Sequence, residues 1–281
     1  MATIADEYRG AKKLLSAVTR EAEAEAGAIL AHVYGLTPGA VFMRFLHEGT
    51  GGKRIGEIVG KRLSGMPLAY ALGEKNFSGR DFDVDERVLI PRSDTEQVVE
   101  HAVKAASQNG YQTALDLCCG SGCIGITLLL ESGLKTVYMS DISPDALDGA
   151  RKNAARLVPH KTSVFLCGDL FEPVDFKVDM IVCNPPYIAA DEYEDLEAQV
   201  REYEPRSALT AGRGGYAFYE RLARECGAFL TPGGTAVFEI GSTQSVEVVR
   251  LLKAAGFDRV DCGCDLAGRP RFVSCVMPKT R

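Results

Sequence analysis

Apolar positions recur along this chain at two different periods, and the change of period divides it. Up to about residue 73 the spacing is helical. Leu14, Leu15 and Val18 suggest one apolar stripe, and Ile29, Leu30 and Val33 mark a face of the Ala/Glu-rich segment from Glu21 to Tyr34. Thr37-Pro38 reads as an N-cap followed by proline at the first helical position, opening a helix through Phe42, Phe45 and Leu46. Gly49 to Gly52 breaks the pattern and Ile55 to Leu63 resumes it. From Gly73 to Ile90, Phe77, Phe82, Val84, Val88 and Leu89, punctuated by Gly79 and acidic turns, predict a β-hairpin linker. Ser93-x-x-Glu96 then fits a capping box opening a helix through Val98, Val99, Ala102 and Val103.

Beyond Tyr111, short apolar runs alternate with helical segments. Strands are predicted at Thr113–Cys118, Val137–Ser140, Ser163–Cys167, Val178–Cys183, Gly234–Ile240, Arg259–Cys262 and Phe272–Val276. Helices are predicted at Ile124–Leu130, from the Ser143-Pro144 cap to Leu157, at Tyr216–Leu230 and at Ser245–Ala255. Residues 188–215 read as a long polar loop. The fold class is therefore α/β, a seven-stranded doubly wound sheet, and such sheets bind ligands at the carboxyl ends of their strands. The expected domains are a helical bundle at 1–73, a hairpin linker at 74–90 and the sheet domain at 91–281.

Composition narrows the class. A hydrophobic fraction of 46% and a charged fraction of 25% over 281 residues belong to an ordinary globular chain. No apolar run reaches the roughly 18 residues of a membrane span, and the N-terminus lacks a signal-peptide core, so no membrane association and a cytoplasmic location are expected. Nine cysteines without a C-x-x-C pair, and four dispersed histidines, point to reduced thiols rather than a metal site. A net charge of −6 weighs against a duplex-DNA partner and is compatible with a basic protein partner.

The candidate chemistry sits at predicted strand ends. Asp116-x-x-x-Gly120-x-Gly122 opens a helix with small residues that let backbone approach a ligand; it lacks the dinucleotide spacing and any Walker lysine. Asp141 ends the next strand, where a carboxylate can accept both ribose hydroxyls of an adenosine. Asp169 follows the third strand, near where an adenine amino group would lie. Asn184-Pro185-Pro186-Tyr187 follows the fourth. Its prolines stiffen the loop, which can present the Asn184 side-chain oxygen and the Pro185 carbonyl as two fixed acceptors beside the Tyr187 ring. Two acceptors and a flat wall suit a planar NH2 group. A plain Pro-rich turn is the structural alternative, as a helix cap is for each acid. Arg92 is free to brace the substrate loop or a carboxylate.

Gly120-x-Gly122, Asp141 and Asn-Pro-Pro-Tyr together resemble the S-adenosylmethionine-dependent class I methyltransferases, whose fold is Rossmann-like. Ile90-Pro-Arg-Ser-Asp-Thr-Glu96, Gly168-Asp-Leu-Phe-Glu-Pro173, Tyr203-Glu-Pro205 and Asp265-Leu-Ala-Gly-Arg269 narrow the likeness to the HemK/PrmC family, the glutamine methyltransferases of peptide-chain release factors. That resemblance runs from about Pro67 to the C-terminus. It implies transfer of a methyl group from S-adenosylmethionine, leaving S-adenosylhomocysteine, to the glutamine amide of the release factor's Gly-Gly-Gln loop. It implies that Cys118, Cys119, Gly120, Ser121 and Gly122 pass under the methionine part of the cofactor, that Asp141 holds the ribose, and that Asp169 and Leu170 border the adenine. Asn184 and Pro185 would accept the amide hydrogens, with Pro186, Tyr187 and Arg92 completing the substrate slot. Cys118-Cys119 stands where the family often has Gly-Thr, so a bulkier residue opens this turn. A glutamine methyltransferase of a ribosomal protein and an adenine amino-group methyltransferase are the alternatives. No direct nucleic-acid substrate is expected.

Overall fold

The computed structural model describes residues 2–265 and 267–279, and the chain divides into two compact units. The first holds residues 2–74 and 197–203; the second holds 75–196 and the chain from 204 onward. Leu266, within the Asp265–Arg269 stretch, lies outside the described residues.

The first unit is helical, with α1 (Ile4–Leu15), α2 (Ala22–Tyr34), α3 (Pro38–Met43), α4 (Gly52–Leu63) and α5 (Leu68–Leu72). Thr3 and Asp6 form a reciprocal capping box at α1. The buried residues of that helix are Ile4, Ala5, Tyr8, Ala11 and Leu15, one face at three-and-four spacing widened by Ala5. The expected Leu14–Leu15–Val18 stripe is corrected accordingly: only Leu15 faces inward, and Leu14 and Val18 are exposed. Thr37 caps α3 as expected, accepting from the Ala40 N–H at 3.3 Å. The helix then stops at Met43, so Leu46 lies beyond it and is almost fully exposed. Arg62 is 6% exposed and ties α4 to α2 by donating to Glu25 at 3.0 Å. Its Nη1 donates to the Met66 carbonyl at 3.0 Å, and its Nε lies 2.9 Å from the second Glu25 oxygen. A buried arginine is tolerable only with such partners.

The second unit begins at Lys75, within the hairpin of β1 (Glu74–Phe77) and β2 (Arg80–Asp83), followed by α6 (Ser93–Asn109). Then come β3 (Thr113–Leu117), α7 (Cys123–Glu131), β4 (Thr136–Asp141), α8 (Pro144–Leu157), β5 (Thr162–Cys167) and β6 (Val178–Cys183). After α9 (Ala198–Tyr203), which belongs to the first unit, follow α10 (Ala217–Glu225), β7 (Leu230–Glu239), α11 (Ser245–Ala254), β8 (Asp258–Cys264) and β9 (Pro270–Val276). The sheet order is β5-β4-β3-β6-β7-β9-β8. The first five strands run parallel, and β9 pairs antiparallel with both β7 and β8. Alternation along each strand feeds two cores. On β6, Met180 and Val182 join the cluster with α6, α7 and α8, while Ile181 and Cys183 join the one with α10 and α11.

Three local expectations are corrected. Ser93 does not cap α6: Arg92 holds the cap position without a side-chain bond, and Glu96 instead accepts the Ser78 N–H at 2.9 Å in the hairpin turn. Tertiary contact takes the carboxylate that a local box would have used. The helix predicted to Leu230 ends at Glu225, because Leu230 is fully buried in register with Val178 and starts β7. Residues 188–215 are not a bare loop. They carry 3₁₀ turns at Glu192–Asp195 and Arg206–Ala208, helix α9, and a bridge between Ile188 and Thr210.

Candidate active site

The chain leaves the centre of the sheet through β3 and returns to the opposite side of it through β6, which makes the β3–β6 border the switch point where such sheets bind ligands. A cavity of about 320 Å³ opens there, within the size range of small-molecule sites. Its walls come from Cys118–Ser121 after β3, Asp141 at the end of β4 and Ile142 after it, Gly168–Leu170 after β5, Asn184 and Pro186 after β6, and Arg92 and Thr95 at the start of α6. Of the predicted residues, Gly122, Pro185 and Tyr187 do not line this cavity.

Each wall has a local cause. Gly122 has φ +78° and caps α7; a side chain there would meet Ala150 and Ile126 at 3.2 Å. Cys118 has φ +56° and Leu170 φ +52°. Both therefore hold left-handed backbone without being glycine, and both line the cavity, a form of strain that gathers at functional sites. Asp141 accepts the Gly120 N–H on Oδ2 and the Ser143 N–H on Oδ1, each at 2.9 Å. A carboxylate offers about four acceptor directions, so two remain for a ligand diol. Burial pushes its pKa up, against the pull of these backbone donors. Asp116 is fully buried, and the Gly125 N–H donates to its Oδ2 at 2.8 Å. It supports the turn from beneath and is not a wall residue. The Asp169 carboxylate is held by Arg221, whose Nη1 lies 2.9 Å from each oxygen, leaving its main chain and that of Leu170 toward the cavity.

Asn184 is half-buried, and its Nδ2 donates to the Thr95 hydroxyl at 3.5 Å, which leaves Oδ1 for the cavity. Tyr187 packs its ring on the core cluster with α10 and α11, and burial pushes its phenol up to about 12. Arg92 pairs with Glu204, whose side chain is 1% exposed and also accepts the Ile90 N–H at 3.1 Å. The Ile90 and Tyr203-Glu-Pro205 motifs thus meet through one buried carboxylate. Arg271 joins Asp94 at 2.8 Å to Asp265 at 2.9 Å, which gives the C-terminal motif a bracing part.

Three supporting residues, Glu239, Gln244 and Asn153, escaped sequence reasoning, and Thr95 entered it only as part of the Ile90 motif. Thr95 lies against Asn184, and Glu239 follows the register partner of Cys183. Gln244 is buried, donates to the Tyr187 carbonyl at 3.1 Å and accepts the Gly241 N–H at 2.9 Å. Asn153 donates to the Ser121 carbonyl at 3.0 Å and so fixes the turn after β3 from α8. Long-range bonds leave no spacing signature in the sequence. Only the buried context of Glu239, at the end of an apolar strand, hints at a role.

The cavity fits an adenosine-bearing cofactor. Asp141 supplies free acceptor capacity, Ile142 and Leu170 supply apolar walls, and a side chain added at Gly120 would meet nothing within 4 Å, so backbone approach is open.

Comparison with known proteins agrees with this architecture. Residues 77–202 match the family described as Methyltransferase small domain. The chain is 38% identical over 277 residues to a release factor glutamine methyltransferase of Cereibacter sphaeroides, covering 98% of each chain. It is 34% identical over 280 residues to one of Agrobacterium fabrum, covering 97% of each. A methyltransferase structure from Pyrococcus furiosus superposes with a TM-score of 0.54 at 16% identity, over 73% of this chain and 92% of that one, which speaks for the class I methyltransferase fold. Among the described residues no helix is long and apolar enough to cross a membrane.

Proposed function

The chain belongs to the release factor glutamine methyltransferases, and from that premise we propose that its cavity methylates the glutamine amide of the release factor's Gly-Gly-Gln loop through the Asn184 corner. The activity is S-adenosylmethionine-dependent transfer to a protein glutamine nitrogen. When bound, S-adenosylmethionine supplies a methyl group activated by its sulfonium and becomes S-adenosylhomocysteine. In this reading the turn from Cys118 to Gly122 takes the methionine part, Asp141 the ribose, and the main chain at Asp169–Leu170 the edge of the adenine.

The difficulty is the substrate. An amide nitrogen shares its lone pair with its carbonyl and is a poor nucleophile. Asn184 Oδ1 accepts one of its hydrogens at the cavity wall and the Pro185 carbonyl, whose residue does not line the cavity, accepts the other as the amide seats against this corner, which holds the NH2 and favours a pyramidal nitrogen with its lone pair directed into the cavity. Prolines on both sides of that carbonyl keep the acceptors rigid, so little reorganisation accompanies reaction. No side chain needs to remove a proton beforehand, because the nitrogen becomes acidic only as its new bond forms. The helical unit at 1–73 recognises the release factor, and the work belongs to the cytoplasm, where translation ends.

One observation carries this reading: Asn184 reaches the same cavity as Gly120 and Asp141, with its amide nitrogen already engaged by Thr95. The test is incubation with labelled S-adenosylmethionine and a release factor, followed by peptide mapping. Label is expected on the glutamine of Gly-Gly-Gln and absent when that glutamine is replaced. Label elsewhere, or none, overturns the assignment.

A further inference from the structure

The proposed function gives the cofactor's ribose to Asp141 and its methionine part to the turn after β3, but leaves the faces of the adenine ring without a partner. Among the described residues the cavity has one aromatic side chain, Phe218 of α10. The predicted helix at Tyr216–Leu230 contains it without giving it a part in the site. We propose that Phe218 packs on the adenine ring of the cofactor, and that Arg221 is a positioning residue that holds it there through Asp169.

The placement follows from the fold. The sheet runs β5-β4-β3, so a nucleoside with its ribose at the end of β4 and its tail at the turn after β3 carries its base toward β5. Gly168–Leu170, the residues after β5, line that side of the cavity. Phe218 and Arg221 are three residues apart on α10 and so are neighbours on one face of the helix. Arg221 Nη1 lies 2.9 Å from each oxygen of Asp169, which ties this face to the loop after β5. Tyr219 and Leu222, buried in the core, fix α10 from its other side. Phe218 is half-buried. It packs against the core cluster that contains Leu170 and lines the same cavity as Leu170.

The chemistry of the parts chooses the base. A flat base gains from an aromatic face whatever its edge carries, whereas a ribose does not. A sulfonium also favours an aromatic face, but the Arg221–Asp169 pair holds Phe218 on the β5 side, away from the turn that takes the methionine part. Because the Asp169 carboxylate is engaged by Arg221, grip on the base falls to the Phe218 ring and to the main chain at Asp169–Leu170.

This inference rests on the part of the proposed function that makes S-adenosylmethionine the cofactor, so its test reads binding rather than turnover. The chain has no tryptophan, and Phe218→Trp therefore places a single indole in the cavity. S-adenosylhomocysteine should change its emission saturably, and so should adenosine, while homocysteine should not. By calorimetry, Phe218→Ala should weaken S-adenosylhomocysteine and S-adenosylmethionine alike by about 5–100-fold, with Phe218→Tyr close to wild type. Arg221→Gln should cost about 2–5-fold, the scale of a partly exposed ion pair. It should add little in the Phe218→Ala background, because the two residues act as one unit. Indole emission unmoved by adenosine, at concentrations that displace S-adenosylhomocysteine, overturns the proposal. So does a Phe218→Ala chain that binds both molecules as the wild type does. A loss confined to S-adenosylmethionine assigns the ring to the sulfonium and overturns it equally. Additive losses for Phe218 and Arg221 overturn the positioning role. A chain that binds as expected here but labels no release factor overturns the proposed function instead and leaves this inference standing.

Discussion

Leu117 of β3 and Cys183 of β6 are register partners in the parallel sheet, so the residues that follow them, Cys118 and Asn184, emerge side by side at the same sheet end. One begins the turn assigned to the cofactor and the other the loop assigned to the substrate. Under the proposed function, the two reacting groups would be brought together by backbone pairing rather than by flexible side chains, the rigid placement an unreactive amide requires.

Asn184 carries the sharpest kinetic expectation. Asn184→Ala should fold normally and bind S-adenosylhomocysteine as the wild type does, while turnover falls about 10²–10³-fold, the scale of removing one preorganised polar group. Calorimetry with the product and single-turnover methylation of a release factor separate the two effects.

Cys118 holds φ +56° where glycine would do so without strain. A left-handed non-glycine residue costs roughly 1–2 kcal/mol, and glycine's extra chain entropy returns roughly 0.5–1 of it. Cys118→Gly should therefore match or slightly exceed wild-type stability, with a melting temperature up to about 4 °C higher. Cys118→Val should melt lower, because a branched side chain tolerates this backbone least. Thermal denaturation of the three proteins side by side checks the order.

Arg92 neutralises the buried Glu204. Because its own side chain is 39% exposed, the loss in Arg92→Ala is discounted for solvent to about 1–3 kcal/mol. Adding Glu204→Gln removes the stranded charge and keeps an acceptor for the Ile90 N–H, so the double variant should recover much of the stability. If turnover recovers with it, Arg92 braces the site. If turnover stays low in a stable double variant, Arg92 also holds substrate.

Asp116 gives a pH signature. Its ordinary value of 3.8 is raised to about 8, first by burial, with the Asp141 charge adding and the Gly125 N–H opposing. The folded state keeps a proton that the unfolded chain releases, so stability present at low pH is lost as pH climbs toward about 8 and levels off above it. Asp116→Asn retains an acceptor for Gly125 and cannot titrate. Its melting temperature should be flatter across that window and higher than wild type at the alkaline end.

Much of this was legible in the chain. Strand runs such as Val178–Cys183, the Thr37 and Ser143 caps, and the turn glycines follow from periodicity and backbone chemistry, which act over a few neighbours. The motif residues Cys118–Ser121, Asp141, Asp169, Leu170, Asn184 and Pro186 do line one cavity, since strand ends at one edge of a parallel sheet must converge. Tertiary structure decided what local rules could not. It gave Glu96 to Ser78 instead of to a capping box, Asp169 to Arg221, and Leu230 to the sheet rather than a helix. It also set Thr95 against Asn184, and Glu239 after the register partner of Cys183. A side chain's partner is fixed by what the fold buries next to it. Burial makes an unsatisfied polar group costly enough to override any preference written within four or five residues.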